Sequence, residues 1–114
     1  MSLPYTYLPD LARTVEIPRD GILSRTVYSD PAVSVVMFGF DGGEALSEHT
    51  AARPALLQVI SGTATLTLGG DTLQAGPGTW VRMPAGLPHS VHATTPLILQ
   101  LTLLPLPNNL PPSE

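Results

Sequence analysis

Apolar and polar residues alternate along much of this chain. The alternation is strictest over six residues: Thr63, Ala64, Thr65, Leu66, Thr67 and Leu68. Because successive side chains of a strand point to opposite faces, this pattern predicts a strand with one buried side. Residues 55–60 and 97–104 are apolar without clean alternation, which predicts strands that are covered on both faces. The second cover of these strands is expected to come from another subunit.

Glycine and proline divide the rest of the chain into short extended segments. The 10 glycines and 13 prolines leave no uninterrupted stretch in which a long helix could propagate. The runs between them predict roughly nine or ten strands, among them 22–28, 32–40, 55–60, 63–68, 71–74, 79–83, 89–94 and 97–104, with a short strand at 13–17. Residues 55–60 and 63–68 flank Ser61-Gly62, and we expect them to form a hairpin. The fold class is therefore all-β.

Length and composition favour one small globular domain. The chain is 43% hydrophobic and only 12% charged, a composition that is typical of a protein with a folded core. Its 114 residues are too few to build a second core. We expect an N-terminal strand segment at 1–20 that packs on the barrel or on a partner, a barrel at 21–104, and a Pro-rich tail at 105–114. Because a small domain buries little surface by itself, we expect a homodimer.

The charge pattern argues against nucleic acid as a partner. The net charge is −4 and the five basic residues, all arginine, are scattered, so no basic stripe is available for nucleic acid.

The longest apolar stretch, 97–104, has about eight residues where a membrane span needs about twenty, and we expect no membrane partner. No charged segment followed by an apolar run opens the chain, which favours a cytoplasmic location. The absence of cysteine excludes thiolate ligands and nucleophiles.

The candidate functional residues lie in two motifs of glycine, proline and histidine at fixed spacing. Gly43, His49 and Gly62 occupy three of the five fixed places of the pattern G-x5-H-x-H-x3-E-x6-G without a gap. The pattern G-x5-P-x-G-x2-H-x3-N is then matched in register by four residues: Gly78, Pro84, Gly86 and His89. Together these motifs resemble those of the cupin superfamily. The resemblance implies a small single-domain cupin, an all-β double-stranded β-helix or jelly-roll barrel.

The resemblance also implies a metal site, of which half is replaced. In metal-dependent cupins the histidines and glutamate of both motifs converge on one divalent metal. Here Ala51 stands at the place of the second histidine and Ala55 at that of the glutamate, so only His49 and His89 remain as metal ligands. Catalytic zinc and non-haem iron normally use three protein ligands. We therefore expect no cofactor, the alternative being a weakly held Fe, Mn, Ni or Zn ion.

A third ligand would have to come from Glu48, His92 or Glu44. Glu48 neighbours His49, and His92 lies three positions after His89, so strand alternation points both of them to the opposite face. A β-bulge would change this.

The leading functional hypothesis is a barrel that binds a small, largely apolar molecule. Two alanines at the ligand positions are expected to enlarge the cavity and to make it less favourable for water. The ligand-binding residues would be His49, His89, Ala51, Ala55 and Arg53. Arg53 lies in the turn Ala52-Arg53-Pro54, where it is expected near the barrel mouth and available to an anionic group. A barrel filled by packed side chains would contradict this hypothesis.

Other functions remain open. One is a metal-dependent oxygenase, isomerase or decarboxylase that uses His49 and His89. Similarity to the metal-free sugar epimerases of the superfamily implies acid–base chemistry by the same pair, although neither motif places a carboxylate on the inward face to orient a base. The last is a sensory or regulatory module. The sequence assigns no catalytic residue.

Overall fold

The computed structural model describes residues 4–106, which contain nine β-strands and one short 3₁₀ helix. The helix covers Leu11–Arg13. The strands are β1 (Ile22–Ser29), β2 (Ser34–Phe40), β3 (Ala45–His49), β4 (Ala55–Ser61), β5 (Ala64–Leu68), β6 (Asp71–Ala75), β7 (Trp80–Met83), β8 (His89–Ala93) and β9 (Leu97–Leu103). Within residues 4–106 no helix is long and apolar enough to cross a membrane.

The strands form two antiparallel sheets that pack face to face. One sheet has the order β1-β2-β9-β4-β7 and the other the order β3-β8-β5-β6. Most neighbours in a sheet are far apart in sequence, so the chain passes repeatedly between sheets, as in the expected jelly-roll barrel. The period-two residues of β5 point inward as predicted, with Ala64 and Leu66 buried and Leu68 packed against the core. The largest fully buried side chains between the sheets are Phe40, Leu57, Leu66, Leu97 and Val59.

The expected hairpin of residues 55–60 and 63–68 is wrong, because these segments belong to different sheets. β4 pairs with β7 and β9, whereas β5 pairs with β6 and β8. Gly62 lies at the crossing with φ 85°, in the left-handed region that favours glycine. A Cβ atom at this position would lie 2.0 Å from the carbonyl oxygen of Pro96. The turn is therefore a corner between sheets, and it requires glycine for both reasons.

The strand expected at 13–17 is also wrong, because this segment is irregular after the 3₁₀ helix. It nevertheless packs closely on the outer face of the five-stranded sheet, where Val15 is buried with Met37 and Ile98. A Cβ atom at Gly39 would lie 2.2 Å from the carbonyl oxygen of Glu16. The N-terminal segment therefore covers part of this face by direct backbone contact.

The loop that leads into β3 is held by the Asp41 carboxylate. Its two oxygens accept the backbone N–H groups of Asp20 at 2.8 Å and Gly42 at 2.9 Å. These hydrogen bonds, with that of Asp20 the larger effect, hold the pKa of the Asp41 carboxyl below its usual value. Their contribution to stability is present above the unfolded-state pKa and is lost as the pH falls through the lower folded-state pKa.

Replacement of the corner glycine tests this account of the fold. Gly62→Ala is expected to lower the free energy of unfolding by more than about 2 kcal/mol, because it combines a positive φ with a clash against backbone. Gly70→Ala is the matched control, since an added Cβ meets nothing within 4 Å, and it is expected to change stability by less than about 0.5 kcal/mol. Urea denaturation measures both, and equal effects would contradict the proposed corner.

Candidate functional site

A β-bulge in β3 brings its histidine to the barrel interior. The register of β3 with β8 shifts between Leu46, which lies opposite Val91, and His49, which lies opposite His89. Ser47 and Glu48 thus oppose a single residue of β8. Because Leu46 and His49 are three positions apart, an unbroken strand would send them to opposite faces, whereas one extra residue places both on the same face.

The two motif histidines lie against each other. Their ring centroids are 4.2 Å apart and their planes are inclined by 58°. The His89 side chain is buried, with 7% of its surface exposed, while His49 is exposed. His49 therefore lies at the mouth of the site and His89 inside it.

Each imidazole is fixed by a hydrogen bond to the backbone two residues earlier in the chain. The Nδ1 atom of His49 lies 2.8 Å from the carbonyl oxygen of Ser47, and that of His89 lies 2.9 Å from the carbonyl oxygen of Leu87. A carbonyl oxygen only accepts, so Nδ1 carries the proton in both rings. In the neutral rings both Nε2 atoms therefore hold a free lone pair. Neither Nε2 has a hydrogen-bond partner among the hydrogen bonds found within residues 4–106.

The histidines line a small apolar cavity of about 30 Å³. Its other lining residues all have hydrophobic side chains: Phe38, Phe40, Leu46, Leu57, Met83, Val91, Leu99 and Leu101. Typical ligand pockets measure about 300–1,000 Å³. Side chains therefore fill most of the barrel, which contradicts the expectation of a ligand enclosed deep within it. The space that remains at the histidine end takes only a small molecule or the end of a larger one.

Neither alanine at the former ligand positions is among the residues that line this cavity. Ala51 follows β3, where its carbonyl oxygen accepts the N–H of Gly86 at 2.8 Å. Ala55 begins β4 opposite Met83 and is 2% exposed within the core. The structure therefore corrects the expectation of an enlarged cavity, because large lining residues such as Phe38 and Met83 occupy the barrel interior.

Arg53 is not among the residues that line the cavity either. Its Nε donates to the carbonyl oxygen of Leu104 at 2.7 Å and its guanidinium donates to that of Leu103 at 3.2 Å. These bonds hold the end of β9 against the turn before β4. Arg53 lines a separate surface depression with Asp30, so the structure does not bring it together with the histidines.

The residues that the structure describes do not fit a complete metal centre. Among them no group of three or more His, Asp or Glu side chains converges. Glu48 is exposed within the bulge, and His92 is exposed on the opposite face of β8, as alternation predicts. The bulge thus turns His49 inward and does not rescue Glu48. Two imidazoles are one ligand short of the usual catalytic sets.

Comparison with known proteins places this barrel in a family. The model of the Cupin domain family matches residues 36–104, which is more than half of the chain. The chain therefore belongs to the cupin family, as the two motifs predicted.

One sequence relative is matched over little more than half of its own length, and two solved structures show the same fold. An uncharacterized protein of Streptomyces coelicolor, SCO3923, is 35% identical over 60 residues, covering 53% of this chain and 57% of that protein's length. A conserved protein of unknown function from Streptococcus pyogenes, SPY1581, superposes with a TM-score of 0.78 at 27% identity, over 90% of both chains. An RmlC-like cupin from Desulfovibrio desulfuricans has a TM-score of 0.79 at 21% identity, over 89% of this chain and 98% of its own.

Proposed function

We propose that this cupin binds a small, largely apolar molecule at the histidine end of its barrel, without a complete metal centre. The observation that carries the proposal is the cavity itself, in which two imidazoles are the only polar side chains among the lining residues. Binding sites of this kind combine an apolar lining with a few polar groups that orient the ligand. The exposed position of His49 leaves the site open on one side.

The size of the cavity limits the ligand. A void of about 150 Å³ lined by aliphatic residues and Phe is large enough for benzene, whereas this one measures about 30 Å³. The part of the molecule that enters is therefore about the size of two water molecules. Its affinity is expected to be modest, because the binding energy available from each atom is limited.

A substitution that fills the cavity tests whether this cavity is the binding site. A small probe such as 2-propanol is expected to bind with millimolar affinity and to shift the NMR signals of the lining methyl groups in a saturable way. Leu46→Trp is expected to abolish these shifts, because Leu46 is half-buried at the cavity and an indole ring would occupy it. Leu23→Trp is the matched control, since Leu23 is 42% exposed and does not line the cavity. Saturable shifts that persist in Leu46→Trp would place binding elsewhere.

The alternative of a metal-dependent cupin enzyme has one supporting observation, the two anchored rings with free Nε2 lone pairs. We expect less than about 0.2 metal per chain by elemental analysis after reconstitution with Fe(II), Mn(II), Ni(II) or Zn(II), because two ligands hold an ion weakly. Higher occupancy that is lost in His49→Ala and His89→Ala, but kept in His92→Ala, would favour the metal enzyme.

We further propose a homodimer formed through the outer face of the five-stranded sheet. Trp80 is 58% exposed on this face, and its register neighbour on β4, Gln58, is exposed as well. Leu56 continues the same face one pair further along, opposite Arg82. A large exposed aromatic residue beside an aliphatic one is typical of the centre of an interface.

Light scattering at micromolar concentration is expected to give twice the 12.0 kDa mass of the chain. Trp80→Ser is expected to weaken the dimer at least about tenfold, as loss of a central aromatic residue does. Leu73→Ser, at a position 46% exposed in the other sheet, serves as the control that leaves the dimer intact. A monomer mass for the unmodified chain would contradict the proposal.

A further inference from the structure

The two imidazoles present the same hydrogen-bonding polarity to the cavity. Both use Nδ1–H on a backbone carbonyl oxygen, at 2.8 Å for His49 and 2.9 Å for His89. A neutral imidazole has one donor and one acceptor, so each ring has only an acceptor, Nε2, left to offer. In neutral form the two neighbouring rings therefore offer two acceptors and no donor.

No other side chain of the lining changes this polarity. The remaining lining residues have aromatic, aliphatic or thioether side chains, and none of these is a hydrogen-bond donor. A ligand with only acceptors, such as a ketone, would lose its hydrogen bonds to water on entry and find no replacement. A ligand with an O–H or N–H group keeps its hydrogen bond by donating to an Nε2 atom.

We propose that this cavity selects small molecules that carry a hydrogen-bond donor, above all a hydroxyl group on a short apolar body, over molecules of equal shape that only accept. The proposal rests on the proposed function, since it assumes that a ligand enters the cavity. The hydroxyl would donate to an Nε2 atom of this ring pair, whose centroids are 4.2 Å apart, and the carbon atoms would lie against the apolar lining.

The neighbouring histidine supplies a control for any test. His92 belongs to the same strand as His89 but is exposed on the opposite face, where it pairs in register with Ala45 and Thr65. It does not line the cavity. Substitution of His92 therefore reproduces the chemical change of a His49 variant outside the site.

The experiment compares 2-propanol with acetone, which have the same carbon skeleton but carry a hydroxyl and a carbonyl group. Each is titrated into the protein at about pH 8, where an ordinary imidazole is neutral, and the shifts of the lining methyl signals give the affinities. We expect 2-propanol to bind at least about threefold more tightly than acetone, the difference that one hydrogen bond makes. In His49→Gln, whose amide also donates, the ratio should fall towards one. In His92→Gln it should stay unchanged.

The other possible outcomes contradict either the selection of donors or the proposed function itself. If acetone binds as tightly as 2-propanol to the unmodified protein, or if the ratio survives in His49→Gln, selection of donors is wrong while binding in the cavity stands. If neither probe gives saturable shifts, the proposed function itself is wrong, and the selection of donors with it.

Discussion

Ser47 and Glu48 of β3 lie opposite one residue of β8, and this extra residue determines what the barrel can bind. It places His49 on the inward face together with Leu46, although three positions separate them. β8, the partner strand, is itself held on both sides by β3 and β5. The two rings therefore meet because of strand register, and their positions depend on the backbone ladder of the four-stranded sheet.

The chemical character of the site follows from two short hydrogen bonds in addition to this register. The carbonyl oxygens of Ser47 and Leu87 each take the Nδ1 proton of a ring two residues further on. Fixing one ring nitrogen determines the role of the other. The same lone pairs that would bind a metal are present, but residues 4–106 bring no third ligand to them. An apolar cavity with two acceptors is what remains of the family's metal-site pattern.

Much of the fold could be predicted from the sequence because alternation and turn residues are local signals. Eight of the predicted strands overlap β1, β2 and β4 to β9, and the glycines at 62 and 86 have the positive φ expected of sharp turns. The sequence pattern does not predict β3, since Ala-Leu-Ser-Glu-His contains only one large apolar residue. The predicted hairpin is wrong because two strands that flank a Ser-Gly turn have the same local sequence pattern whether they pair with each other or belong to different sheets. That choice depends on the distant contact between Gly62 and Pro96.

The site could be predicted only in part. Motif spacing reflects strand register and predicts that His49 and His89 lie close together, and their ring centroids are 4.2 Å apart. The sequence does not identify Phe38 and Phe40 as lining residues, because the run 32–40 is apolar on both faces and alternation alone does not show which face is inward. The volume of the cavity and the contacts of Arg53 depend on packing between strands remote in sequence. Motif positions such as Ala51 and Ala55 therefore show which ligands are lost, but not what fills the space.

The most direct test is to observe which ring nitrogens carry protons in the free protein. A long-range ¹H–¹⁵N correlation spectrum of the histidine rings, recorded at about pH 8, where ordinary imidazoles are neutral, distinguishes protonated from bare nitrogens for each ring. The account predicts protonated Nδ1 and bare Nε2 for both His49 and His89, with His92 as the internal reference outside the site. A proton on Nε2 of either motif histidine would contradict it.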